Sequence, residues 1–208
     1  MFVAGTFLLI IFFAALLVVM IKFGKVTKSA PLRTTDFAII AAFLAIHKVV
    51  EISTMFTPIA AMPPNSIQPN VILTWYLPQG IIQAVLLKIV PKPSVAFTYV
   101  IAQYFLLGVI IPLSALWTLR YILPAVALEA YYLVSKRGTL SSLLLMGLSF
   151  GILSSVLGTI FFVALWEMPT QPLLLTLPVA ILSGISMAGG SLIGYGIGYL
   201  VTKKRSKT

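Results

Sequence analysis

The sequence predicts an all-α, polytopic membrane protein of about seven transmembrane helices. Three observations predict it: charge is scarce, the apolar runs are long and unbroken, and basic residues return at every second interval between runs. Only 9% of the 208 residues are charged and 60% are hydrophobic, with mean hydropathy +1.10. A water-soluble domain carries roughly a quarter of its residues as charge, so most of this surface is expected to face lipid. The runs fall at about 3–22, 36–54, 70–90, 94–112, 117–135, 140–165 and 173–201. Each is near the ~20 residues that a helix needs to cross the hydrocarbon core, and a helix satisfies its own backbone there. Barrel strands would alternate in pieces of about ten residues, which these runs do not.

Proline and glycine punctuate the intervals, at Pro31, Pro58, Pro63-Pro64, Pro69, Pro91-Lys92-Pro93, Gly138, Pro169 and Pro172. Of the 14 Lys and Arg residues, 12 lie in four clusters. Lys22, Lys25, Lys28 and Arg33 follow the first run, Lys88 and Lys92 the third, Lys136 and Arg137 the fifth, and Lys203, Lys204, Arg205 and Lys207 the seventh. The alternate intervals, 55–69, 113–116 and 166–172, contain none. By the positive-inside rule the N-terminus lies outside and the C-terminus in the cytoplasm. The net charge of +10 thus belongs to topology, and no nucleic-acid partner is expected. Read as domains, residues 1–28 form an N-terminal transmembrane helix with a basic cytoplasmic linker, and 29–208 a six-helix membrane domain. The first run lacks a basic stretch before it, which favours an uncleaved helix over a signal peptide.

Small residues recur at four-residue spacing in two runs. Gly190, Gly194 and Gly198 form one row, Gly184 and Ala188 another, and Ala38/Ala42 with Ala41/Ala45 a third. Such rows let helix backbones approach closely in lipid, within the chain or with a partner.

Ionisable groups inside spans are costly and are functional candidates by default. His47, Lys48 and Glu51 sit in the outer third of the second run, where i+3 and i+4 spacing lets them share a face. They form either part of a binding pocket or a self-neutralising group that snorkels to the interface. Trp75, Gln79 and Gln83 make an i, i+4, i+8 stripe on the third run, near Asn70 and the potential kink at Pro78. An indole above two amides suits a planar ring with hydrogen-bonding edges; alternatively Trp75 joins the interfacial belt and the glutamines bond neighbouring helices. Gln103 and Tyr104 fall mid-way along the fourth run, with packing the default for the tyrosine. Arg120, after Trp117, either holds an anionic ligand group, pairs with Glu51 or Glu167, or anchors at the interface. Glu129 lies deeper and is expected to meet a partner or hold a proton. The uncharged, Pro/Met-rich interval 55–69 either closes over a pocket or simply links two helices.

Catalysis finds no support. One histidine and no cysteine exclude multi-histidine and thiolate metal centres, so no metal or cofactor is expected. Four scattered acids, no Walker A sequence and no GxSxG elbow leave no hydrolytic constellation.

Three stretches nonetheless carry a likeness. Arg33-Thr-Thr-Asp36 leads into Ala38-Ile-Ile-Ala-Ala42; Lys92-Pro-Ser-Val-Ala96 forms a KPG-like turn into a helix; and Ala125-Val-Ala-Leu-Glu129 is followed by Leu182-Ser-Gly-Ile-Ser-Met-Ala-Gly-Gly190. From about 33 to 203 the chain resembles the S component, the membrane-embedded substrate-binding subunit, of energy-coupling-factor (ECF) vitamin transporters. The likeness is nearest to the YkoE-like group associated with thiamine or its hydroxymethylpyrimidine precursor. The resemblance implies an outward-facing vitamin pocket in the cell membrane. It also implies docking of the Ala38/Ala42 face on a T component, with two ATPase subunits supplying energy. His47, Lys48, Glu51, Trp75, Gln79, Gln103 and Arg120 are then the substrate-binding candidates. The extra N-terminal helix and Gln103, where an acid is expected, depart from the group. A small membrane enzyme acting on lipid and a ligand-free assembly subunit are the alternatives.

Overall fold

The computed structural model describes residues 31–55, 69–110, 129, 138–166 and 173–205. These residues are all helical apart from turns: α1 (Thr34–Met55), α2 (Pro69–Ile89), α3 (Val95–Ile110), α4 (Leu140–Trp166) and α5 (Leu173–Arg205). Five of the seven predicted runs thus appear as helices within a few residues of their expected bounds. The first run, most of the fifth, residues 56–68 of the interval 55–69, and Arg120 lie outside the described residues. Among the described residues, one helix, over Leu177–Lys204, is long and apolar enough to cross a membrane.

The core gathers around α2 and α3, where Ile82, Leu86, Leu87, Val95, Tyr99 and Val100 are buried with Ile40 of α1, Met146 of α4 and Met187 of α5. The main contacts of α2 and α4 are with α5. Glycine makes both possible. A Cβ on Gly80 would strike the Met187 carbonyl, one on Gly190 the Leu77 carbonyl and one on Gly194 the Ile81 carbonyl. On the α4 side, a Cβ on Gly151 would lie 2.5 Å from the Ser183 carbonyl. The α5 glycine row is therefore spent within the chain, on backbone-to-backbone packing.

The opposite face of α5 is large and aliphatic: Leu177, Ile181, Ile185, Leu192, Ile193, Ile197 and Leu200 are all exposed. Small residues lie inside and large apolar ones outside. The buried hydroxyls of Ser183, Ser186 and Ser191 donate back to the carbonyls of Val179, Leu182 and Met187, so none asks for a partner from another helix.

Helix starts are built with care. Asp36 occupies the third position of α1 and accepts the Arg33 backbone N–H at 2.7 Å, one half of a capping box. The same carboxylate oxygen accepts Lys92 Nζ at 2.5 Å, which ties the start of α1 to the turn before α3. In that turn Ser94 takes a left-handed φ of 68°. This is where a KPG turn would place glycine, and a side chain there is strained by roughly 1–2 kcal/mol. Ser94→Gly is accordingly expected to stabilise the protein by about 1 kcal/mol, read as a rise in Tm in detergent, with unchanged Tm as the contrary result. Lys88 donates to the Gly138 carbonyl at 3.0 Å and its ammonium lies 4.6 Å from the Tyr195 ring centre.

Candidate functional site

The polar groups predicted on α1 divide. His47 turns inward and is buried, whereas Lys48 and Glu51 pair with each other at 2.5 Å in a half-buried setting. The ion pair matches the self-neutralising alternative for those two residues. His47 does not share in it; its Nδ1 faces α3. There the Tyr99 hydroxyl lies 2.5 Å from Nδ1, and the Gln103 amide nitrogen bonds the same atom. Tyr99 and Gln103 are one helical turn apart, so both side chains project from one face of α3.

One imidazole nitrogen offers a single in-plane bonding site. Two groups on Nδ1 therefore compete for it, and the Tyr99 hydroxyl and Gln103 amide also interact with each other. The three side chains form a closed polar knot in the α1/α3 interface. Buried polar networks of this kind fix helix register when complete, and cost stability when one member is removed. His47→Leu is expected to destabilise by about 2 kcal/mol, and by less in a Tyr99→Phe background. The coupling of about 1 kcal/mol is measurable in a double-mutant cycle of thermal unfolding; strict additivity would dissolve the knot.

The α2 stripe has a gradient of burial. Trp75 is 37% exposed, Gln79 is half-buried and Gln83 is only 2% exposed. Among the described residues, no hydrogen bond links Trp75 or Gln79 to the His47 knot. Gln103, predicted singly, does join His47. Arg120 lies outside the described residues. Ala38 and Ala42 lie on the exposed face of α1 with Phe37, Ala41, Ala45, Ile46 and Val49.

Glu129 is 1% exposed and meets partners, as expected, backbone N–H groups among them. Its carboxyl oxygens accept Ser94 N–H at 2.5 Å and Phe97 N–H at 3.2 Å, from the residue just before α3 and the third residue within it. Capping residues are usually extended, so that their own oxygen reaches these donors. Ser94 is left-handed, and Glu129 provides the acceptors from elsewhere in the chain.

Two residues escaped sequence reasoning. Tyr99 carried a usable signal, its i, i+4 spacing from Gln103. Lys92 was legible as a topology marker, but its bond to Asp36 spans 56 residues and leaves no local trace. Among the described residues no group of three or more His, Asp or Glu is placed to hold a metal. No family model, curated protein or solved structure matches the chain.

Proposed function

We propose that the chain is the membrane-embedded substrate-binding subunit of an ECF-type importer. It spans the bilayer about seven times and takes up a small vitamin or precursor of the thiamine or hydroxymethylpyrimidine kind. The supporting observation is the two-sidedness of α1. One face buries His47 against α3, while the other leaves Ala38, Ala41, Ala42 and Ala45 bare. A ridge of small side chains lets another helix come close, as the resemblance of this segment to the S-component docking helix implies. The aliphatic outer face of α5 also supports a lipid setting, since an exposed apolar patch of that length is rare on proteins in water.

The test has two parts. Titrating thiamine and hydroxymethylpyrimidine against tryptophan fluorescence of the purified chain is expected to give a saturable change. Co-expression with a T component and ATPase pair is expected to yield one complex, lost on Ala38→Trp/Ala42→Trp. Failure of both ends the transport reading.

A ligand-free assembly subunit is the second reading, favoured by one observation: Lys48 is paired with Glu51, and His47 is hydrogen-bonded by Tyr99 and Gln103. It expects the complex to form without any fluorescence response.

A further inference from the structure

The basic end of the α2/α5 seam carries a cluster that solute binding does not use. Lys88, in the last turn of α2, lays its aliphatic stem across Gly198, where an added Cβ would lie 2.7 Å from the Lys88 Cβ. The stem delivers the ammonium to α5, 4.6 Å from the centre of the Tyr195 ring. That ring stacks on Tyr199, with centroids 6.4 Å apart and planes 23° from parallel. Lys203 continues the row, since Tyr195, Tyr199 and Lys203 recur every fourth residue along α5. Tyr199, Lys203 and Lys204 are exposed. The exposed aliphatic side of α5 stops at the same level, with Ile197 and Leu200. Aromatic rings at the edge of an apolar belt are the usual mark of a membrane surface.

We propose that this end of the seam holds the headgroup of an anionic phospholipid, whose acyl chains run back along the aliphatic side of α5. Charge complementarity selects that occupant. Neither α2 nor α5 contains an acid, while Lys88, Lys203, Lys204 and Arg205 bring positive charge to this end. An anionic amphiphile answers both halves of the surface. Its phosphate meets the lysines and can accept from the tyrosine hydroxyls, and its chains cover Ile197 and Leu200. A zwitterionic headgroup brings a cation of its own and leaves the lysines uncompensated. A soluble polyanion leaves the aliphatic side bare. Lys88 is already held by the Gly138 carbonyl and the Tyr195 ring, so it loses little freedom when a headgroup arrives. The inference rests on the reading that the chain lies in a membrane, and it is independent of the solute carried.

The experiment uses the full chain extracted in dodecyl maltoside and offered equal amounts of palmitoyl-oleoyl phosphatidylglycerol and phosphatidylcholine. Native mass spectrometry counts the lipid that stays bound. The parent is expected to retain phosphatidylglycerol about fivefold or more over phosphatidylcholine, and Lys203→Gln/Lys204→Gln to bring that ratio below about twofold. Lys25→Gln/Lys28→Gln removes the same charge from another basic interval and should leave the ratio unchanged. A parent without preference overturns the site, and so does a preference that survives Lys203→Gln/Lys204→Gln. Equal losses in the two double variants also overturn it, because the attraction would then belong to the whole charged surface. A dimer free of lipid overturns it too, since a second copy would cover the face. If the chain leaves the membrane fraction without detergent, the membrane reading falls along with the site. If extraction needs detergent but no lipid preference follows, only the site falls.

Discussion

Gly190→Val or Gly194→Val is expected to destabilise the bundle by about 3 kcal/mol or more, enough to deplete folded protein from the membrane. Overpacking a well-filled interior usually costs about 1–3 kcal/mol because side chains shift to new rotamers. That relief is missing at these positions. A Cβ on Gly190 would meet the Leu77 carbonyl and the Gly80 Cα, and one on Gly194 the Ile81 carbonyl and the Ala84 methyl. Apart from that methyl these are backbone atoms, so α2 and α5 would have to separate along their length. The same helix supplies its own control. A Cβ on Gly196 meets nothing within 4 Å, so Gly196→Ala is expected to be neutral or to stabilise by up to about 1 kcal/mol through helix propensity. Tm values and folded yields of the variants decide the matter. Equal losses at Gly194 and Gly196 would mean that the α2/α5 seam is misplaced.

The second large effect is at Glu129. Glu129→Ala leaves the N–H groups of Ser94 and Phe97 buried without their acceptor, a cost of about 3 kcal/mol. Glu129→Gln keeps one acceptor oxygen and is expected to cost about 1 kcal/mol. The order Ala worse than Gln worse than parent, followed by thermal unfolding, is the signature of a cap. If Gln were as damaging as Ala, the negative charge itself would be the essential property. If both were silent, α3 would start without help from Glu129.

Much of the helical layout was legible because it depends on local quantities. Run length and proline position bound Thr34–Met55, Pro69–Ile89 and Leu173–Arg205 to within four residues at each end. The glycine row announced a close approach, but spacing alone is equally consistent with an inner or an outer partner, and only the position of Leu77 and Ile81 decides between them. The candidate site was harder. His47 and Gln103 each stood out as polar residues in apolar runs, yet their meeting depends on the register of α1 against α3, which no periodicity encodes. Glu129 was recognised as needing a partner. That its partners include the backbone of Ser94 and Phe97 could not be read, because an acceptor supplied from 32 and 35 residues away follows no capping spacing. Gln83 looked like its neighbours Trp75 and Gln79 in sequence, and the gradient of burial along that stripe sets it apart.

The aliphatic side of α5 has a practical consequence. From Leu177 to Leu200 it rises about 35 Å at 1.5 Å per residue, a belt that any solubilising agent must cover in full. Surfactants with short tails form thinner collars and would leave one rim of leucine or isoleucine in water, at a cost that grows with each ångström of mismatch. Long-tailed maltosides or nanodiscs should therefore keep the chain monodisperse under conditions where octyl-tailed agents let it precipitate.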